Sequence, residues 1–257
     1  MQPDGRIIDL VGCGNVATHL AERFVQRGGS IRFLAARSAE KARALASAVG
    51  AELKTLEELA AVTNDLPLVL AISDDQIAAV SQAFIHRFTL HTSGSVPMEA
   101  IASEKRGVLY PLQSFTKGRA VDWTDVPICI EAPTEALLAD LTAVATTLGE
   151  RVEVISSDKR RKLHLAAVVV NNFVNHLYRA SENYLENNGL SLDILHPLMR
   201  ETVAKAVDLG LQSAQTGPAR RNDQQTISAH LEALSQDPEL QDLYRRMSDA
   251  ITRSYHG

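Results

Sequence analysis

Gly12-x-Gly14-x-x-Ala17 follows the apolar run Ile7–Val11 and precedes a stretch with helical apolar spacing. After a strand and before a helix, each small residue has a separate physical role. The first glycine permits the tight turn, the second lets backbone approach a pyrophosphate, and Ala17 allows close helix–strand packing. The helix start offers free N–H groups and a positive dipole end, so Gly12, Gly14, Asn15 and Val16 are the candidate phosphate-binding residues. A tight turn without a ligand is the plain alternative. The next strand ends in Ala35-Ala36-Arg37-Ser38, with Lys41 one helical turn on. A site for NAD places an acid here to bind the ribose 2′-hydroxyl. Arg37 stands in its place, and a guanidinium matches a 2′-phosphate in shape and charge while Ser38 adds a donor. The expectation is NADP(H), against the alternative of a solvated arginine at a strand end.

Two later strand ends reach the same crevice, because ligands in such sheets bind beyond the carboxyl ends of the strands. They are Ile72-Ser73-Asp74-Asp75 and His91-Thr92-Ser93-Gly94-Ser95, from which Ser73, Asp74 and Ser93 are expected beside the nicotinamide ribose. Asp74 also reads as a cap for a helix beginning near Asp75. His91 reads either as a satisfied core imidazole or as a catalytic one. Further on, Leu163–His176 is an apolar helix carrying a polar stripe. At about 100° per residue, His164, Val168, Asn171 and Asn175 share one arc, with Asn172 beside it. Buried amides and imidazoles without partners cost about 1–3 kcal/mol each, so the stripe must be paired between helices or face a wet pocket. The reading taken here is that it faces the nicotinamide, with His164 and Asn171 as the catalytic pair and Asn175 on the substrate. The loop Thr216-Gly217-Pro218-Ala219-Arg220-Arg221 either anchors a carboxylate or phosphate through Thr216 and Arg220 or simply joins two helices. The basic run Lys159–Lys162 reads as a solvated face.

These residues need elements to hold them. The first 155 residues alternate β-rich runs with helical patterns, the signature of a parallel sheet with crossover helices. Strands are expected at 6–11, 31–36, 67–72, 89–91, 107–110, 127–130 and 151–154, and helices at 15–27 and 39–48, the second capped by Ser38. Beyond Ser156 the strand signal stops. One long helix is expected over 157–187, capped by Ser157 and Asp158 and ended by Asn188-Gly189. Others follow over 192–211, 222–235 and 238–255. The fold class is therefore α/β, a Rossmann domain over 1–156 followed by an all-α domain over 157–257. With 257 residues, 45% apolar and 22% charged, the chain is ordinary for a soluble protein. A net charge of −5 gives no attraction for nucleic acid or an acidic membrane. No apolar run approaches the roughly 20 residues of a membrane span, and nothing resembles a signal peptide. Cys13 and Cys129 do not make a disulfide framework, no metal-ligand cluster is apparent, and a cytoplasmic location is expected.

Five motifs in this order carry a resemblance: Gly12-x-Gly14-x-x-Ala17, His91-Thr-Ser-Gly-Ser95, Leu109-Tyr-Pro-Leu-Gln-Ser-Phe115, His164-Leu-Ala-Ala-Val168 with Asn171-Asn172-Phe173, and Thr216-Gly-Pro218. Across nearly its whole length the chain resembles the two-domain bacterial NADP oxidoreductases that join a Rossmann-like domain to an uncharacterised C-terminal domain. That group is similar to pyrroline-5-carboxylate reductase and the 3-hydroxyacid dehydrogenases. The resemblance implies an all-α domain of the 6-phosphogluconate-dehydrogenase-like type and a homodimer through it. It also implies that Tyr110 and Gln113 border the nicotinamide pocket. One position departs: where the 3-hydroxyacid dehydrogenases carry a catalytic lysine, this chain has Val168, which has no proton to give. His164, one turn earlier, can substitute, since imidazole titrates in the useful range. A protonated imine arrives already activated and asks less of an acid than a ketone does. The sequence thus favours reduction of a small carboxylate-bearing imine or carbonyl by NADPH. A non-catalytic NADP(H)-binding sensor or scaffold is the alternative.

Overall fold

The structure is a computed structural model that describes residues 6–257. Its contacts divide the chain into two compact units, Met1–Asn171 and Asn172–Gly257. In the first, apolar β-rich runs form the strands β1 (Ile7–Val11), β2 (Ser30–Ala35), β3 (Glu52–Lys54), β4 (Leu68–Leu70), β5 (Thr89–His91), β6 (Arg106–Pro111), β7 (Ile128–Glu131) and β8 (Val152–Val154). The helices between and after them are α1 (Asn15–Gln26), α2 (Ala39–Val49), α3 (Leu56–Ala60), α4 (Ile77–Ser81), α5 (Glu135–Leu148) and α6 (Ser157–Val168). The strands make one sheet in the order β3-β2-β1-β4-β5-β6-β7-β8. β1 lies between β2 and β4, so the chain's direction of winding reverses there and a crevice opens at the carboxyl ends of β1 and β4. Ile8, Leu10, Leu68, Val69 and Leu70 are fully buried, as expected of central strands covered on both faces.

The sheet is not parallel throughout: β7 runs antiparallel to β6. A parallel return needs a crossover, usually a helix. The β6–β7 connection contains none and instead folds onto α1, where Phe115 stacks on His19 and lies against Trp123. The Asn15 amide and a His19 ring nitrogen meet the Phe115 and Thr116 carbonyls there. Sequence periodicity also passed over β3 and α3, which are too short to show a period. Thr55 and Glu58 form a reciprocal capping box at the start of α3.

The helix expected over 157–187 is interrupted. A π turn, Val169–Phe173, follows α6, and α7 (Val174–Asn187) continues from it. The β-branched run Val168–Val170 sits where the α ladder yields, in keeping with the crowding of such side chains in a helix. The wider turn interrupts the uniform 100° progression on which the shared arc of His164, Val168, Asn171 and Asn175 was projected. Asn171 and Asn175 are exposed. Ser156, one residue before the expected caps, caps α6 by accepting from the Lys159 N–H. The strands stop at Val154, yet the first unit extends to Asn171, past the boundary expected at 156. Bonds from Ser157 and Arg160 to Glu131 tie α6 to the sheet.

The second unit continues with α8 (His196–Leu209), α9 (Leu211–Ala214), α10 (Gln224–Ala233) and α11 (Pro238–His256). The single helix expected over 192–211 breaks at Gly210, whose φ of 78° ends α8. Pro238 occupies the first turn of α11 behind an Asp237 cap. No helix among the described residues is long and apolar enough to cross a membrane.

Candidate active site

A groove of about 870 Å3 opens at the carboxyl ends of β1, β2, β4 and β5. Its floor is the Gly12–Val16 loop. Gly12 has φ 128°, and a Cβ there would run into the Ala71 carbonyl, so only glycine lets β1 and β4 close up at this turn. Gly14 differs: a Cβ there would meet nothing within 4 Å and would fill the groove itself. No side chain caps α1 at Gly14, whereas Thr134 caps α5 and Ser156 caps α6. The uncapped first turn leaves N–H groups for an anion. Ser38 holds the N-cap position of α2, where its carbonyl accepts from the Ala42 N–H. Its side chain makes no cap bond, and it lines the same groove with Arg37 and Lys41. Arg37 and Ser38 are exposed, so three donors of 2′-phosphate type stand clear at one rim.

Ser73, Asp74 and Ser93 line the middle of the groove, as expected. Asp74 is not a cap. It is the first residue of a 3-10 turn, and its carboxylate accepts from the Ser95 hydroxyl. Ser93 Oγ takes the Ser95 and Val96 amides and so folds the His91–Ser95 loop back on itself. His91 proves structural in geometry: it is fully buried, and its Nδ1 accepts from the Ser93 N–H at 3.1 Å. Burial, helped by the charge of Arg160, holds its pKa down at about 4, so it stays neutral.

At the far end, Tyr110 on β6 and His164 on α6 meet, Tyr110 Oη lying 3.1 Å from His164 Nδ1. Both face the groove, beside Gln113, whose Oε1 accepts from the Ser114 N–H. Burial pushes the Tyr110 hydroxyl up to about 12, so it keeps its proton and can donate to Nδ1. A phenol can also accept, so the contact holds the ring by Nδ1 in either tautomer. Gly94 packs under the pair, and a Cβ there would collide with the His164 ring and the Tyr110 ring. Sequence reasoning placed both residues at the site but had no signal for their contact, since they lie 54 positions apart.

The basic run Lys159–Lys162 is a solvated face except at Arg160. Arg160 is 1% exposed, the bulkiest of the fully buried side chains. It donates to Glu131 Oε2 at 2.6 Å, to the Val96 carbonyl and to Ser157 Oγ, while Glu131 Oε1 accepts the Ser157 N–H. One clamp therefore joins α6, β7 and the loop after β5, and His164 sits one turn further along α6. Lys162 and Arg161 do behave as expected, pairing with Asp158 in solvent.

Asn171, Asn175, Thr216 and Arg220 are not among the residues lining this groove. Within the second unit, Thr216 is exposed and the Arg220 guanidinium lies 4.1 Å from the Tyr255 ring centroid. Leu56, Gln76 and Val80 are groove residues that sequence reasoning missed, because they come from elements too short to read. No group of His, Cys, Asp and Glu suited to a metal occurs among the described residues, and both cysteines are free thiols.

The family described as "NADP oxidoreductase coenzyme F420-dependent" matches residues 7–89, and "Domain of unknown function (DUF2520)" matches residues 126–251. A Bacteroides fragilis protein described as an NADP oxidoreductase is 38% identical, with 96% of this chain and 98% of that one covered at a TM-score of 0.86. The chain belongs to the NADP oxidoreductase family. Fold similarity reaches further from this oxidoreductase. The 1-pyrroline-5-carboxylate reductase of Streptococcus pyogenes is 13% identical over 96% of this chain and 98% of its own, with a TM-score of 0.61. Reductive aminase from Aspergillus terreus, in complex with NADPH and ethyl-5-oxohexanoate, is 17% identical over 96% and 92%, with a TM-score of 0.66. No curated protein matches. These relatives share the Rossmann sheet followed by a helical C-terminal domain, and the oxidoreductase is an enzyme of the NADP-dependent class.

Proposed function

We propose that the protein binds NADP(H) along the groove and reduces a small carboxylate-bearing imine or carbonyl. The observation that carries this reading is one continuous surface. It runs from the Arg37–Ser38–Lys41 rim, across the uncapped start of α1, to the Tyr110–His164 pair. Gly12, Gly14, Asn15 and Val16 would hold the pyrophosphate, Arg37 and Ser38 the 2′-phosphate, and Ser73, Asp74 and Ser93 the nicotinamide ribose. Bound there, NADPH supplies the hydride. The chain's part is orientation and the proton, and Tyr110 holds the His164 ring at Nδ1. In its protonated form His164 would give the Nε2 proton to the oxygen of a reduced carbonyl, staying as the neutral imidazole with Nδ1–H donated to Tyr110 Oη. A protonated imine becomes an amine on hydride transfer and needs no proton. Gln113 borders the substrate. Asn171 and Asn175, with Thr216 and Arg220 for the acidic end, complete the reading on the strength of the family motifs. The absence of a lysine at Val168 favours an imine, whose protonated form needs less acid assistance.

Titration with NADPH and NADH, followed by fluorescence or calorimetry, tests the first step. Micromolar NADPH binding with much weaker NADH binding is the expected result. If neither binds, the reading fails at its root. A metabolite panel of imines and keto acids then tests turnover. NADPH binding without consumption in any pairing would leave the sensor alternative standing.

The helical unit is further inferred to pair with a second copy. α8 buries none of its residues, and Val207 and Leu211 are 78% and 80% exposed. Apolar surface of this extent marks an interaction site. Light scattering on the Val207→Glu variant, expected to be monomeric beside a dimeric wild type, tests it.

A further inference from the structure

The opposite end of the sheet carries a second cavity, of about 400 Å3, at the amino ends of β4 and β5. We propose that it is a binding site for a small oxyanion. Thr63 and Asn64 wall it from the segment before β4, and Phe84, His86 and Arg87 from the segment before β5. Arg87 is 4% exposed, and its Nη2 donates to Asp9 Oδ2 at 2.7 Å and to the Leu66 carbonyl at 3.1 Å. Asp9 is already saturated. Its Oδ1 takes Arg32 Nε and the Phe33 N–H, and its Oδ2 takes Arg32 Nη2 as well as Arg87. Two guanidiniums therefore share one carboxylate, leaving an uncompensated positive charge beside the cavity.

The hydrogen-bond inventory points the same way. Among the described residues six buried side-chain nitrogens lack a partner, and three of them, Arg87 Nε, Arg87 Nη1 and Asn64 Nδ2, belong to this cavity's walls. All three are donors, and both residues line this cavity. Asn64 Oδ1 is engaged by the Leu66 N–H at 2.8 Å, which fixes the amide with its NH2 end free. Buried donors without acceptors are rare and costly, and each one asks for an explanation. A water could accept from one of them but would leave the charge uncancelled. A ligand that only accepts, and is negative, meets both demands. Asp65 also lines the cavity, but its carboxylate is 87% exposed and lies 3.5 Å from Lys105 Nζ, so it does not answer the buried donors. His86 and Thr63 are exposed and form the mouth.

The site-specific test is nitrogen-15 NMR of the Arg87 Nε–H and the Asn64 side-chain amide. The protein is titrated with inorganic phosphate and, separately, acetate, with ionic strength held constant by chloride. A saturable shift of both signals with at least one anion is expected, and the tighter of the two names the oxyanion class. Asn64→Asp keeps the acceptor for Leu66 but replaces the donor with a negative charge, and it should weaken the Arg87 response at least about tenfold. Arg37→Ala should leave that response unchanged, which separates this cavity from the cofactor groove. The proposal is overturned if neither anion saturates, if chloride reproduces the shifts, or if Asn64→Asp titrates like the wild type. Arg87 itself is left in place, since its removal would strip Asp9 of a buried partner.

Discussion

The Tyr110 hydroxyl lies 3.1 Å from Nδ1 of His164 and retains its proton, so it can serve that nitrogen as donor or acceptor and holds the ring by its Nδ1 side. Tyr110→Phe removes that hydroxyl without changing shape. It is expected to lower kcat about tenfold while leaving NADPH affinity unchanged. His164→Ala should cost about a hundredfold or more, the usual weight of a general acid. Steady-state kinetics with the best substrate of the imine and keto-acid panel checks both, and an Ala variant with full turnover removes His164 from the chemistry.

Gly94 supports the same pair from below. Gly94→Ala places a methyl against the His164 and Tyr110 rings and should displace them. Turnover is expected to fall as in Tyr110→Phe, with NADPH binding and the far-ultraviolet circular dichroism intact. A fully active Gly94→Ala enzyme would mean that the ring positions do not matter.

Arg37 decides the cofactor. Arg37→Asp replaces a guanidinium with the acid that binds a ribose 2′-hydroxyl. Losing charge-assisted bonds to a phosphate should weaken NADPH about tenfold to a hundredfold and improve NADH. Parallel calorimetric titrations measure the two affinities, and an unchanged ratio would show that Arg37 is not the discriminator.

The Arg160–Glu131 bridge, 2.6 Å long with Arg160 1% exposed, is a buried pair. Removing one partner strands the other's charge. Arg160→Met is expected to destabilise the protein by about 3–5 kcal/mol. Urea denaturation gives the value, and a loss under about 1 kcal/mol would place the bridge with surface pairs.

His91 makes stability depend on acid. Its pKa in the folded protein, about 4, lies below the ordinary 6.5, so the unfolded chain takes up the proton first. Stability is full above pH 6.5 and is lost as pH falls towards 4, by on the order of 3 kcal/mol. His91→Asn should flatten this limb of the melting temperature against pH. An unchanged slope would assign the acid sensitivity to other groups.

Much of this was legible in residue order because the responsible physics is local. A turn that excludes Cβ atoms, followed by a helix start, is written in Gly12-x-Gly14-x-x-Ala17. The charge of Arg37 at a strand end speaks for itself. Strand runs and the long helix show in their periods, and the groove does gather Gly12–Val16, Arg37, Ser38, Ser73, Asp74, Ser93, Tyr110, Gln113 and His164.

Tertiary structure alone decided the rest. Arg160 sits in a run of four cations that sequence reads as solvated, yet packing against Glu131 and Val96 buries it, and no local pattern encodes that pairing. The π turn at Val169–Phe173 interrupted the projected polar arc, because helical projection assumes a uniform turn. The antiparallel β7 goes with a helix-free β6–β7 connection that folds over α1, where its Phe115 stacks on His19. His164 had its chemistry from the sequence, but its ring is held by Tyr110, a neighbour that only the closed sheet and its covering helix bring within a hydrogen bond.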